Sequence, residues 1–270
     1  MALRPLDLME PEETVGNLWH DAAHGIGAAR HFPEAAANLK QLRTSLAVLF
    51  RALGGASGVE LSEAPAQVVK HRRSLSRKIA SERDKIHVAG FDGESLRLPP
   101  VIDCFEDAAL NRAAYFWLTA NAAMYDPDAT PLPEADADPL AFDADQIAIN
   151  ARTNALVFGR CIGLQQAYAD MAKQILVDRL RQTLPAAEAA IEASVRAQLE
   201  GTALDLPPQA APRGYAPFQP VPIWLHFCAP VSGSNAPEAT EDDAPPPPTA
   251  VVTKRKLGLR KDRGEANRKD

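Results

Sequence analysis

Between Asp143 and Thr183 the apolar residues Ile147, Leu156, Phe158, Ile162, Leu164, Met171, Ile175, Leu176 and Leu180 recur mainly at helical intervals. Only Gly159 and Gly163 weaken the run, and the pattern predicts one very long helix. An apolar stripe of that length has to be covered by other elements, and most of the candidates upstream and downstream are helical too.

"EPEETVGNLWHDAAHG" reads as a short helix with Pro11 near its start, Glu12 and Glu13 at the positive end of its dipole, and Gly25 as its stop. Val15, Leu18 and Trp19 would form its apolar face. A second helix is predicted from Pro33 to Gly54-Gly55, with Leu39, Leu42, Leu46, Leu49, Phe50 and Leu53 three and four apart. A third spans about Glu106 to Met124 and carries Leu110, Ala114, Trp117 and Leu118 along one side. Asn111 and Arg112 are placed to cap this helix and tie its start to the preceding turn; Tyr115 and Phe116 cannot face the same way, so one of them is expected at the surface. "PAAEAAIEASVRAQLEG" gives a further helix between Pro185 and Gly201.

From Gly58 to Pro100 the period changes. "VELSEAP" and "KIHVAGFDGESLRLPP" alternate apolar and polar residues around an Asp92-Gly93 turn signal, which predicts a small antiparallel sheet. The basic segment "KHRRSLSRK" lies between these strands and reads as a solvated face or a docking patch over residues 70–78; it lacks the interleaved aromatics of a base-stacking surface.

After Gly201, "PPQAAPRGYAPFQPVPIWLHFCAP" is too rich in proline for helix and carries Tyr215, Phe218, Trp224 and Phe227; it is expected to lie as an extended strap over the helical body. "SGSNAPEATEDDAPPPPTAVV" has too little apolar surface to offset ordering entropy and reads as a disordered linker. The terminal "KRKLGLRKDRGEANRKD" holds eight Lys or Arg against three acids. The expected architecture is therefore a mainly α helical bundle with a small antiparallel sheet. Its expected parts are a helical domain (1–228), a Pro-rich acidic linker (229–253) and a basic segment (254–270) leading toward a further domain.

A formal net charge of -6 argues against a dedicated nucleic-acid binder. Cys104, Cys161 and Cys228 are far apart, with no CxxC spacing, so neither a disulfide framework nor a thiolate zinc site is indicated, and a reducing cytoplasm fits best. No apolar leader and no stretch long enough to span a bilayer is visible.

For catalysis, the sharpest candidate is "HDAAH", in which His20 and His24 share a helix face and Asp21 stands where a zincin has its glutamate base. Asp is one methylene short, and His31, His71, His87 and His226 offer no spacing that nominates a third ligand. A zinc-dependent hydrolase is the alternative function on this motif, set beside the plainer reading of two histidines on a half-exposed helix. The cysteines read as small buried side chains. No GxxxxGK[ST], GxGxxG or GxSxG occurs, and "RALGGASG" ends a helix where a phosphate cradle must open one. The acids of "EADAD" and "EATEDD" fall in proline-rich segments expected to be flexible and to serve only solvation. No residue is thus assigned a catalytic, cofactor-binding or metal role, and no cofactor is expected in this region.

"LRLPPVIDCFEDAALNRAAYFWLTANAA" resembles a block of the NorD/CbbO family, and "EETVGNLWH", "LFRALGG" and "PFQPVPIWL" resemble three more in the same order, from about Glu12 to Leu225. The resemblance implies a cytoplasmic accessory factor that pairs with a hexameric AAA+ ATPase of the MoxR class, acting as an adaptor and not as an enzyme. It further implies help in activating a client enzyme, nitric oxide reductase in the NorD branch or Rubisco in the CbbO branch. Family members carry a C-terminal von Willebrand factor A domain with a DxSxS metal site; this chain has no DxSxS, and the expectation is that it corresponds to the N-terminal region, with client contact made by the further domain.

Overall fold

The computed structural model describes residues 30–68, 85–179, 183–202 and 210–230. The predicted first helix with His20 and His24, the basic segment 70–78, residues 231–253 of the linker and the segment 254–270 lie outside them. Among the described residues five helices dominate, with short strands at their edge.

A 3-10 turn at Pro33–Ala35 and strand β1 (Ala37–Asn38) precede helix α1 (Leu39–Ala52), so the helix predicted from Pro33 starts six residues later. Leu39, Leu42, Leu46 and Phe50 are its buried stripe. It stops at Gly54-Gly55, as its sequence predicts: a Cβ on Gly55 would stand 2.2 Å from the Phe50 ring, so only glycine lets the chain turn that closely over the helix end.

Strands β2 (Glu60–Glu63), β3 (Ala66–Val68), β4 (Lys85–His87), β5 (Gly90–Phe91), β6 (Ser95–Leu98) and β7 (Val101–Ile102) follow. The Asp92-Gly93 signal forms the predicted hairpin between β5 and β6: Asp92 Oδ1 accepts from Glu94 N and Ser95 N, and Gly93 takes φ 89°. The pairings β1–β7 and β3–β4 are antiparallel as well. The β2–β6 pairing is parallel, Leu61 beside Leu96, and so is the pairing of β5 with a last strand, β8 (His226–Phe227). Purely antiparallel pairing fails here because the β3–β4 excursion separates β2 from β6 and lets the chain return in the same direction; alternation reports which face is buried, not which neighbour is found.

Helix α2 (Ala108–Ala123) is the hub. Ala114, Tyr115, Trp117 and Leu118 are inaccessible to solvent, while Phe116 is half-buried. The cap is Asp107, whose carboxylate accepts from Ala109 N. Asn111 does tie the helix start down: buried, it accepts from Phe105 N and donates to Phe105 O and Ala35 O. Arg112 instead lies 5.6 Å over the Phe116 ring.

The single long helix is two, α3 (Pro139–Arg160) and α4 (Gln165–Asp178), hinged at Cys161 and a 3-10 turn at Ile162–Leu164. Unbroken, it would extend about 60 Å at ~1.5 Å per residue and leave much of its stripe in water. The break between the two weak glycines folds α4 back, and Trp117, Phe158 and Tyr168 meet with ring centroids 4.4 to 5.3 Å apart. Helix α5 (Ala186–Leu199) begins after Pro185 and ends before Gly201, as predicted.

Candidate functional site

The described part of the expected strap, residues 210–230, is the element around which the polar interior is organised. Val221, Ile223, Leu225 and Phe227 alternate inward and are buried, as is Trp224. An extended segment of this kind has backbone N–H and C=O groups that no helix of its own satisfies, and burying them unpaired is costly. Side chains of the helices supply the partners.

Helix α3 does most of this. Gln146 donates to Phe227 O and accepts from Phe227 N at 2.5 and 2.8 Å; one turn on, Asn150 donates to Leu225 O and accepts from Leu225 N at 2.9 and 3.0 Å. The two spacings match, since four helical residues rise about 6 Å and two strand residues about 6.6 Å. The side-chain amides therefore act as two rungs of a β-ladder along one edge of β8. Its other edge meets β5, with His226 N donating to Ala89 O and Cys228 N to Phe91 O. Further staples come from Trp117 Nε1 to Ile223 O and from buried Arg179, which donates to Gln219 O while holding Glu192 with two nitrogens at 2.6 and 2.9 Å.

The start of α3 corrects the reading of "EADAD". Asp138 is the helix cap, accepting from Leu140 N, Ala141 N and, across the chain, Ala211 N. The Ala211 bond and then the helix N–H groups hold its carboxyl below the usual range. Asp138 followed by Pro139 is a helix-start signal legible in the sequence.

Between α3, β5–β6 and the strap lies a cavity of about 470 Å³, walled by Phe142, Phe218, Trp224, His226 and Arg97. Asp143 lines it and is only 4% exposed. Its Oδ2 accepts from Tyr215 Oη at 2.5 Å and Phe218 N at 3.1 Å. Burial raises the Asp143 carboxyl to about 6 against those two hydrogen bonds. Tyr215 is raised by burial and then by the carboxylate, so it stays a donor. His226 stacks on Phe142 with centroids 5.3 Å apart, and desolvation followed by the Arg97 charge lowers its pKa. Arg97 is itself paired with Asp92 at 3.1 Å.

The other singled-out residues do not converge. His31 pairs with Asp103, and His87 with Ala64 O. Cys104, Cys161 and Cys228 are free and half-buried, each thiol pushed up first by burial, Cys104 to about 12. Among the described residues no group of three His, Cys, Asp or Glu could hold a metal ion. The residues missed from sequence are Asp143, Gln146 and Asn150. Their signal was three polar side chains, three and four apart, on the same face of "DADQIAIN" as apolar core positions.

Fold and site define a mainly α domain closed by an extended strap, with a cavity at the strap's seat. No family model matches the chain, and no solved structure does. Protein NorD of Brucella suis biovar 1 is 34% identical over 227 residues, 81% of this chain and 35% of that protein. An uncharacterized Pseudomonas aeruginosa protein is 34% identical over 224 residues, 81% of this chain and 33% of its own length. Protein NorD of Stutzerimonas stutzeri is 38% identical over 116 residues, 43% of this chain and 19% of that protein. The chain belongs to the NorD family and spans about a third of the length of the Brucella suis and Pseudomonas aeruginosa relatives.

Proposed function

We propose that this chain is the adaptor region of a cytoplasmic accessory protein that docks a MoxR-class AAA+ ATPase and helps activate nitric oxide reductase. The observation that carries the reading is its 34% identity over 81% of its length to a protein named NorD, which favours nitric oxide reductase over Rubisco as client. The packing supports a role by contact. The Asp138 cap and the buried Asp143, Gln146 and Asn150 of α3 are engaged with the strap backbone, and the strap in turn fixes α2, α3 and β5 into one body that can transmit a load. Among the described residues no helix is long and apolar enough to cross a membrane, which agrees with action from the aqueous side.

The test is co-elution of the purified 270-residue protein with a MoxR-class ATPase, under ATP, together with the ATPase rate. A shared peak and an altered rate are expected; neither a complex nor a rate change would overturn the proposal.

A further inference from the structure

The cavity at the strap seat contains a charge without a counter-charge. Both donors to Asp143 from the strap land on Oδ2, and Oδ1 takes no hydrogen bond from the described residues. Asp143 makes no ion pair among them either, although it is 96% buried by its 4% exposure. The guanidinium among the lining residues, that of Arg97, is occupied by Asp92. His226 is held toward its neutral form, so it does not supply the missing charge.

A buried carboxylate is costly unless a cation or several donors meet it. An anionic ligand would face Asp143 itself, and a purely apolar one would seal the carboxylate away from water with no compensation. The remaining walls favour the third case. Phe218 and Trp224 stand edge to face with centroids 6.2 Å apart, and Phe142, packed on His226, lines the same cavity. Aromatic faces beside a carboxylate are the surroundings in which ammonium and guanidinium groups bind, through cation–π attraction and a charge-assisted hydrogen bond. The volume, about 470 Å³, falls within the range of small-ligand pockets.

We propose that this cavity binds an organic cation, an alkylammonium or guanidinium group on a hydrocarbon stem, with the Asp143 carboxylate as its counter-ion and the Phe142, Phe218 and Trp224 rings around its stem. The cation comes either from a free amine or from a basic side chain of a peptide, and two pairs of probes separate these sources. Cadaverine is compared with 1-pentanol, and N-acetyl-lysine N-methylamide with its norleucine counterpart, by calorimetry and saturation-transfer NMR on the whole chain at pH 7.5.

At least one cation is expected to bind saturably and at least about tenfold more tightly than its neutral partner. Asp143→Asn, which keeps an acceptor for Tyr215, is expected to remove that preference. Preference for cadaverine alone assigns a free amine, and preference for the lysine derivative alone assigns a side chain; both outcomes support the site. Neutral and charged probes binding alike, no saturable binding up to about 10 mM, or an unchanged preference in Asp143→Asn would each overturn it. The comparison of charged with neutral probes on the unsubstituted protein decides the question even if the variant does not fold.

Discussion

Asn150 and Asn154 sit one turn apart on α3, both about 1% exposed, and the structure gives them opposite roles. The Asn150 amide makes three bonds, two with Leu225 and one with Gln146 O. Neither end of the Asn154 amide has a partner among the described residues. Replacing Asn150 by leucine, which has the same branched shape and number of heavy atoms, strands the N–H and C=O of Leu225 in the interior at about 1–3 kcal/mol each. The added apolar burial returns about 1–2 kcal/mol. The net expected loss is about 2–4 kcal/mol, or roughly 5–15 °C in melting temperature for a domain of this size. Asn154→Leu removes a buried amide that satisfies nothing, so it should be neutral or stabilising by up to about 2 kcal/mol. Urea unfolding followed by far-UV circular dichroism measures both. Equal losses in the two variants, or a loss below about 0.5 kcal/mol in Asn150→Leu, would refute the ladder.

Arg179→Leu should cost about 3–5 kcal/mol, because it removes both nitrogens from Glu192 and the donor to Gln219 O; the i,i+4 contact of Arg196 with Glu192 should keep the loss at the lower end of that range, and thermal unfolding reads it. Asp143 gives a pH signature of defined sign. Its folded pKa is raised from 3.8 to about 6, so the native state binds the proton more tightly and the contribution of this group to stability falls as pH rises from about 4 to 6. Asp143→Asn should therefore gain on the unsubstituted protein by about 2–3 kcal/mol between pH 4 and pH 7; a difference independent of pH would contradict the burial argument.

The helices were legible because their signals are local. Leu39 to Phe50, Pro185 to Gly201 and the aromatic block of α2 each carry their own period and stops. The strap was legible from its prolines. The break at Cys161 was marked only by two glycines, and the sequence could not show that α4 must fold back for Tyr168 to reach Trp117. Parallel pairing of β2 with β6 was hidden for a similar reason, because strand partners depend on the path between them. The strap seat was the least legible part. Gln146 and Asn150 resemble ordinary polar residues of a helix until an extended segment about 75 to 81 positions away is laid beside them. Asp138 was read as solvation although Asp-Pro is a helix-start signal, and its second task, receiving Ala211 N, belongs to tertiary structure alone.

The claim on which the rest depends is that residues 225–227 are an integral part of the domain, with β8 paired on one edge with β5 and with Leu225 and Phe227 held on the other by side chains of α3. Native-state amide hydrogen exchange at Leu225 and Phe227 tests it directly, since each N–H donates to an α3 amide oxygen. The account predicts opening free energies at these two amides close to that of the buried helical core of α2. Exchange at the rate of an exposed loop, with α2 still protected, would contradict it.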